Sequence, residues 1–163
     1  RTYRVDSYGM RDRPWSRRTQ SGADIHGSGA VASGYSYATA DDRNAFHMSS
    51  MAFTEGDYLH IHGYYLRNGE YAKLASGKRT VLERDPGTGC PTRVLIEAED
   101  ALGRALRAEG RGLNKIGFHI NPNLFTWNCL THWQFDGLDA YGEDHDNWTA
   151  AGARQFFRRF LKL

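Results

Sequence analysis

Polar and apolar positions alternate most cleanly in Tyr58-Leu59-His60-Ile61-His62-Gly63-Tyr64-Tyr65-Leu66, and this alternation predicts a strand. A period of two puts His60 and His62 on one face and Leu59 and Ile61 on the other. Glu55-Gly56-Asp57 marks the turn into this strand, and Asn68-Gly69 is a hairpin signal leading to a return strand over residues 70–74. A further strand at 79–82 runs into the loop Asp85-Pro86-Gly87-Thr88-Gly89-Cys90-Pro91. Upstream, residues 1–44 show little sustained period and read as short strands and loops. A strand falls around 30–40, then a turn or helix start at Asp41-Asp42-Arg43-Asn44 and a short buried segment at 45–53. After residue 94 the spacing becomes helical. Leu95, Ala98, Leu102, Ala105 and Leu106 share one helical face, closed by Gly110. Asn121-Pro122-Asn123 breaks the chain, and Thr126 or Asn128 caps a second helix bearing Leu130, Trp133, Leu138 and Tyr141. A third helix runs from a Thr149 cap to the end and buries Phe156, Phe157, Phe160 and Leu161. The expected fold is therefore α+β, a small antiparallel sheet with helices concentrated in the C-terminal half.

The chain of 163 residues has the size of one domain, with a β- and loop-rich part over 1–54 and a catalytic core expected over 55–163. Apolar residues make up 40% and charged residues 25% with a net charge of +2, which excludes a disordered, highly charged chain. Its pI near 8.6 falls short of a polycationic nucleic-acid binder. The arginines at 1, 4, 11, 13, 17 and 18 form a basic cluster, and the interleaved Asp6 and Asp12 favour a solvated surface over a phosphate-binding arm. No apolar run approaches the roughly 20 residues that span a bilayer. The start has no initiator Met and no leader-like apolar stretch, which reads as a processed or excised domain, with a secreted one among the options. Asn147-Trp148-Thr149 matches a glycosylation sequon. The two cysteines, Cys90 and Cys129, permit one disulfide, two free thiols or one working thiol.

The candidate chemistry centres on Cys129. It falls in the first turn of the second predicted helix, directly after Asn128, where free backbone N–H groups favour a thiolate and can hold an oxyanion. Free cysteine is also among the most buried residue types, so a core thiol fits the same position. Seven histidines can supply a base. His132 is three residues away on the same predicted helix, but a base approaching from a facing strand suits attack on a substrate better. His62, followed by Gly63, is that base, with His60 or His119 to orient it. A metal reading competes, in which His60-x-His62 is joined by His119 or Asp146. Asp144-His145-Asp146 reads as a solvated loop, and a non-enzymatic binding module using Tyr35, Tyr37 and Arg13 stays open.

Gly56-Asp57, His62-Gly63-Tyr64-Tyr65, a helix over 96–108 and Leu124-Phe125-Thr126-Trp127-Asn128-Cys129 occur in an order that resembles the circularly permuted papain-like cysteine enzymes. That group includes the NlpC/P60-related amidases, the lecithin–retinol acyltransferase-like proteins and the PPPDE peptidases. The resemblance spans roughly residues 55–142. It implies a thiol-dependent hydrolase or acyltransferase without a cofactor, acting on a peptide, peptidoglycan or acyl-ester substrate. Cys129 would attack the carbonyl and His62 would serve as base and then acid. Thr131-His132 stands where that group usually has an aromatic, and residues 110–121 are an insertion. A second resemblance is to the cholera- and pertussis-like mono-ADP-ribosyltransferase toxins. It rests on Tyr3-Arg4-Val5-Asp6-Ser7, Tyr37-Ala38-Thr39-Ala40 and Glu97-Ala98-Glu99, and it implies Arg4 on a phosphate of NAD. Ala38 replaces the serine of that pattern.

Overall fold

The structure, a computed structural model, describes residues 2–4, 7–9 and 29–162. Arg4 is described and exposed, whereas the basic cluster at 11–18, together with Val5 and Asp6, lies outside the described residues. Among the described residues, nine strands and one helix follow along the chain. They are β1 (Ala32–Thr39), β2 (Ala45–Ala52), β3 (Tyr58–Arg67), β4 (Glu70–Arg84), β5 (Pro91–Asp100), β6 (Ala105–Gly112), β7 (Ile116–Asn121), β8 (Leu124–Phe135) and β9 (Leu138–Thr149), then α1 (Ala150–Phe160). All pairings are antiparallel, in the order β6-β5-β4-β3-β2-β1-β9-β8-β7. Residues 131–135 of β8 also pair with β6, which closes eight strands into a barrel. Residues 124–128 of β8 pair with β7 instead, so β7 stands outside the ring as an edge strand. β1 and β2 belong to the same ring as β3–β6, β8 and β9, so residues 32–52 share one barrel with the strands after position 54.

The α+β expectation is overturned: only the third predicted helix exists. Segments 94–110 and 126–141 are pairs of strands folded about tight turns, and each turn interrupts what reads as a helical stripe. Asp100 accepts the backbone N–H groups of Leu102 and Arg104 at 2.9 Å, and Gly103 turns the chain at φ 77°. Asp136 and Gly137, at φ 51° and 76°, supply the two left-handed residues of a two-residue hairpin, as Asn68 and Gly69 do between β3 and β4. With period two restored, Ile96, Leu106, Ala108, Trp133, Phe135 and Ala140 face the core, whereas Leu130 and Tyr141 of the expected helical stripe are exposed. α1 forms where expected. Thr149 Oγ1 accepts the Gly152 N–H at 3.1 Å, and Ala153 and Phe156 are buried.

Inward side chains fill the barrel. One half is an apolar cluster that includes Phe46, Met48, Tyr65, Leu74, Ile96, Leu106, Trp133 and Phe135. At the other end Ala32, Ala52, Tyr58 and Trp148 meet Ala153 and Phe156 of α1, which covers that end like a lid. A layer of charged side chains lies in this second half.

Candidate functional site

Strand alternation aims Arg79 of β4 and Asp144 and Asp146 of β9 into the barrel, where all three are at most 1% exposed. Arg79 grips Asp144 with Nε at 3.0 Å and Nη2 at 2.7 Å, and reaches Asp146 with Nη1 at 3.1 Å. Asp146 is saturated: Oδ1 also accepts Tyr58 Oη (2.7 Å), while Oδ2 accepts Arg84 Nη1 (2.7 Å) and Trp148 Nε1 (2.9 Å). Ser36 Oγ donates to Asp144 at 2.6 Å. Burial pushes the Asp146 carboxyl up, but Arg84 and Arg79 outweigh it and hold it down at about 2. Burial likewise raises the Tyr58 phenol, so it stays a donor. Two cations and two anions balance, and every oxygen of the two carboxylates is partnered, so this layer is structural, and the solvated loop expected at 144–146 is a core strand instead. Within that strand His145 points outward and bonds Glu143 at 2.7 Å.

Cys129 is not at a helix start. It sits inward in the middle of β8, 1% exposed, with its sulfur 3.4 Å from that of Cys90. The S–H···S bond to Cys90, then burial, pushes its thiol up. Asn128 beside it faces outward and is half-buried. His62 lies on the outer face of β3 with its ring 5.4 Å from that of His47, and β9, β1 and β2 on one side, or β6, β5 and β4 on the other, separate its strand from β8. The structure therefore does not bring His62 to Cys129. Nor do His60 and His62 share a face. Ser50 pairs with His60 and Ser49 with His62, so Ile61 is an extra residue that turns His60 inward and leaves His62 outside. His60 Nε2 is buried without a partner, and burial lowers its pKa. Opposite faces exclude the two from one metal ion, and among the described residues no group of three His, Cys, Asp or Glu can hold one. Glu97 and Glu99 lie on β5, with three strands between it and Tyr37 and Ala38 on β1, so the described pieces of the transferase pattern do not converge.

His119 leads to a different place. β7 and the turn at Pro122 project beyond the ring and leave a cleft of about 590 Å³ between this hairpin and α1. Its floor is Phe125 and Phe157, with ring centroids 5.6 Å apart and edge-on, flanked by Ala150, Ala153 and Pro122. His119 stands edge-on to Phe125 at 5.4 Å. Arg154 and Arg158, one turn apart on α1, line the rim. Both are exposed, and among the described residues neither is in an ion pair, in contrast to Arg159, which meets Glu55, and Arg84, which meets Asp146. Known protein families, curated proteins and solved structures give no match to the chain. The cleft is thus read from its own walls. Sequence reasoning had singled out His119 and Phe125 but missed the two arginines. The signal available was their spacing of four on the third predicted helix, beside Phe157.

Proposed function

We propose that this chain is a binding protein for a small amphipathic anion, an apolar body carrying a carboxylate, held between α1 and the β7–β8 hairpin. The observation that carries this reading is a pair of exposed guanidinium groups, without an ion pair among the described residues, above an aromatic floor. Ligand clefts of roughly 300–1,000 Å³ with apolar walls and a few convergent polar groups are the usual form of small-molecule sites, and this cleft of about 590 Å³ falls in that range. Arginine presents parallel N–H donors that match a carboxylate, while Phe125 and Phe157 offer rings to an alkyl or aromatic body. Inside the barrel, Phe46, Tyr65, Trp133, Tyr58 and Arg79 are fully buried. Thiol hydrolysis demands an accessible sulfur beside an imidazole, and a buried Cys129 across the barrel from His62 supports it less well.

Calorimetric titration with decanoate, decanol and decyltrimethylammonium tests the proposal. Decanoate binds, and the alcohol and the cation bind at least about tenfold more weakly, a difference of roughly 1.4 kcal/mol. Arg154→Glu with Arg158→Glu removes that preference. Absence of decanoate binding, equal binding of all three probes, or a preference that survives the double reversal each overturns the assignment.

A further inference from the structure

Cys90 and Cys129, the only cysteines in the chain, are 39 residues apart in sequence and meet inside the barrel. Cys90 immediately precedes β5 and Cys129 is in the middle of β8. β6 runs between those strands and contributes Gly112 there, which pairs with Thr131 and stands close to the Pro91 carbonyl. The two sulfurs lie 3.4 Å apart. The contacts are unequal. The Cys90 thiol is 3.5 Å from the Pro91 carbonyl oxygen, which can accept its proton, and the Cys129 thiol is then left to donate to the Cys90 sulfur. Asp146 acts against ionisation of both thiols, but at Cys90 Lys115 and Arg84 oppose it, whereas at Cys129 Asp144 adds to it. A proton is therefore lost more readily from Cys90 than from Cys129.

We infer that Cys90 and Cys129 form a redox-active dithiol, in which Cys90 attacks a low-molecular-weight disulfide and Cys129 resolves the product. In the first step the Cys90 thiolate bonds to one sulfur of the oxidant, whose other sulfur leaves as a thiolate. In the second, Cys129 gives up its proton and attacks the Cys90 sulfur, expelling the second small thiol. Two cysteine thiols and one small disulfide become one protein disulfide and two small thiols, so the electrons pass to the oxidant. Access comes through the loop over Cys90. Asp85 holds this loop by accepting from Gly87 N (3.1 Å), Thr88 Oγ1 (2.8 Å) and Lys115 Nζ (2.7 Å), while Pro86 and Gly87 face solvent. Local lifting of that loop exposes Cys90 before Cys129, which sets the order of attack.

The test incubates the folded chain with glutathione disulfide, quenches with N-ethylmaleimide under denaturing conditions and weighs the product. The wild-type chain loses about 2 Da, takes up no maleimide and keeps no glutathione, the signature of an internal disulfide. Cys129→Ser stops as a single glutathione adduct on Cys90, and Cys90→Ser reacts at least about tenfold more slowly, the reactivity following the thiolate fraction. A wild-type chain that keeps two maleimide-reactive thiols or carries glutathione on both cysteines overturns the proposal. So does Cys90→Ser reacting as fast as Cys129→Ser. The wild-type result decides alone if a variant fails to fold.

Discussion

At the scale of single residues, Asp146 is the position on which the charged interior depends. Its two oxygens accept from Arg79, Arg84, Tyr58 and Trp148, side chains of three different strands, β4, β3 and β9. Removing one partner of a buried pair leaves an uncompensated charge, typically a loss of about 3–5 kcal/mol. Asp146→Asn keeps the shape and removes the charge, leaving two guanidinium groups against Asp144 alone. Urea unfolding should show a loss of about that size, and an unchanged midpoint would mean that the layer contributes shape rather than charge. The acid side carries its own sign. The folded carboxyl sits at about 2, below its ordinary 3.8, so its stabilisation is present above about pH 4. That contribution, of the order of 2 kcal/mol, disappears as pH falls from about 4 through 2. The wild-type chain should therefore lose stability across that window with a slope that Asp146→Asn lacks.

At the scale of elements, the turns decided what was legible. Asn68-Gly69 announced a hairpin and made one, and Thr149 announced a helix cap and made one. Asp136-Gly137 carries the same hairpin chemistry as Asn68-Gly69, yet the apolar spacing across Leu130, Trp133, Leu138 and Tyr141 outweighed it. That spacing mixes inward Trp133 with outward Leu130 and Tyr141, which no strand face can do and which only the turn explains. The site suffered more than the fold. Placing Cys129 at a helix start followed directly from the missing turn, and one unpaired residue, Ile61, moved His60 and His62 to opposite faces. A bulge leaves no mark in a run of alternating residues, so period-two reasoning had no means to detect it. Gly137 gives the turn a direct test. At φ 76° a side chain is strained, so Gly137→Ala should lower stability by about 1 kcal/mol. Gly87→Ala, in an exposed loop without positive φ, should lie within about 0.5 kcal/mol of wild type in the same denaturation series.

At the scale of the whole molecule, ring closure explains why the interior is full and the cleft lies at one end. Eight strands enclose a space just wide enough for side chains or one small ligand, and here Trp133, Phe46, Tyr65, Arg79 and Tyr58 occupy it. Closure itself hangs on a short seam. β6 and β8 pair over five positions, Ala108 to Gly112 against Phe135 to Thr131, because β8 spends its first half on β7. At the centre of that seam Gly110 faces Trp133, and a Cβ there would lie 2.7 Å from Cζ3 and 2.8 Å from Cε3 of the indole and 2.9 Å from Thr131 Cγ2. Trp133 has nowhere to retreat, being fully buried with Phe46 edge-on at 5.2 Å. Gly110→Val must therefore part the strands rather than displace the ring, at a cost of about 3 kcal/mol or more, the upper end of overpacking. The ring makes the damage directional. Amides of β6 and of residues 131–135 should lose hydrogen-exchange protection first, while β1 and β2, each held on both edges by other strands, keep theirs until global unfolding. Equal loss of protection in all strands would show instead that the barrel opens as one unit with no weakest seam.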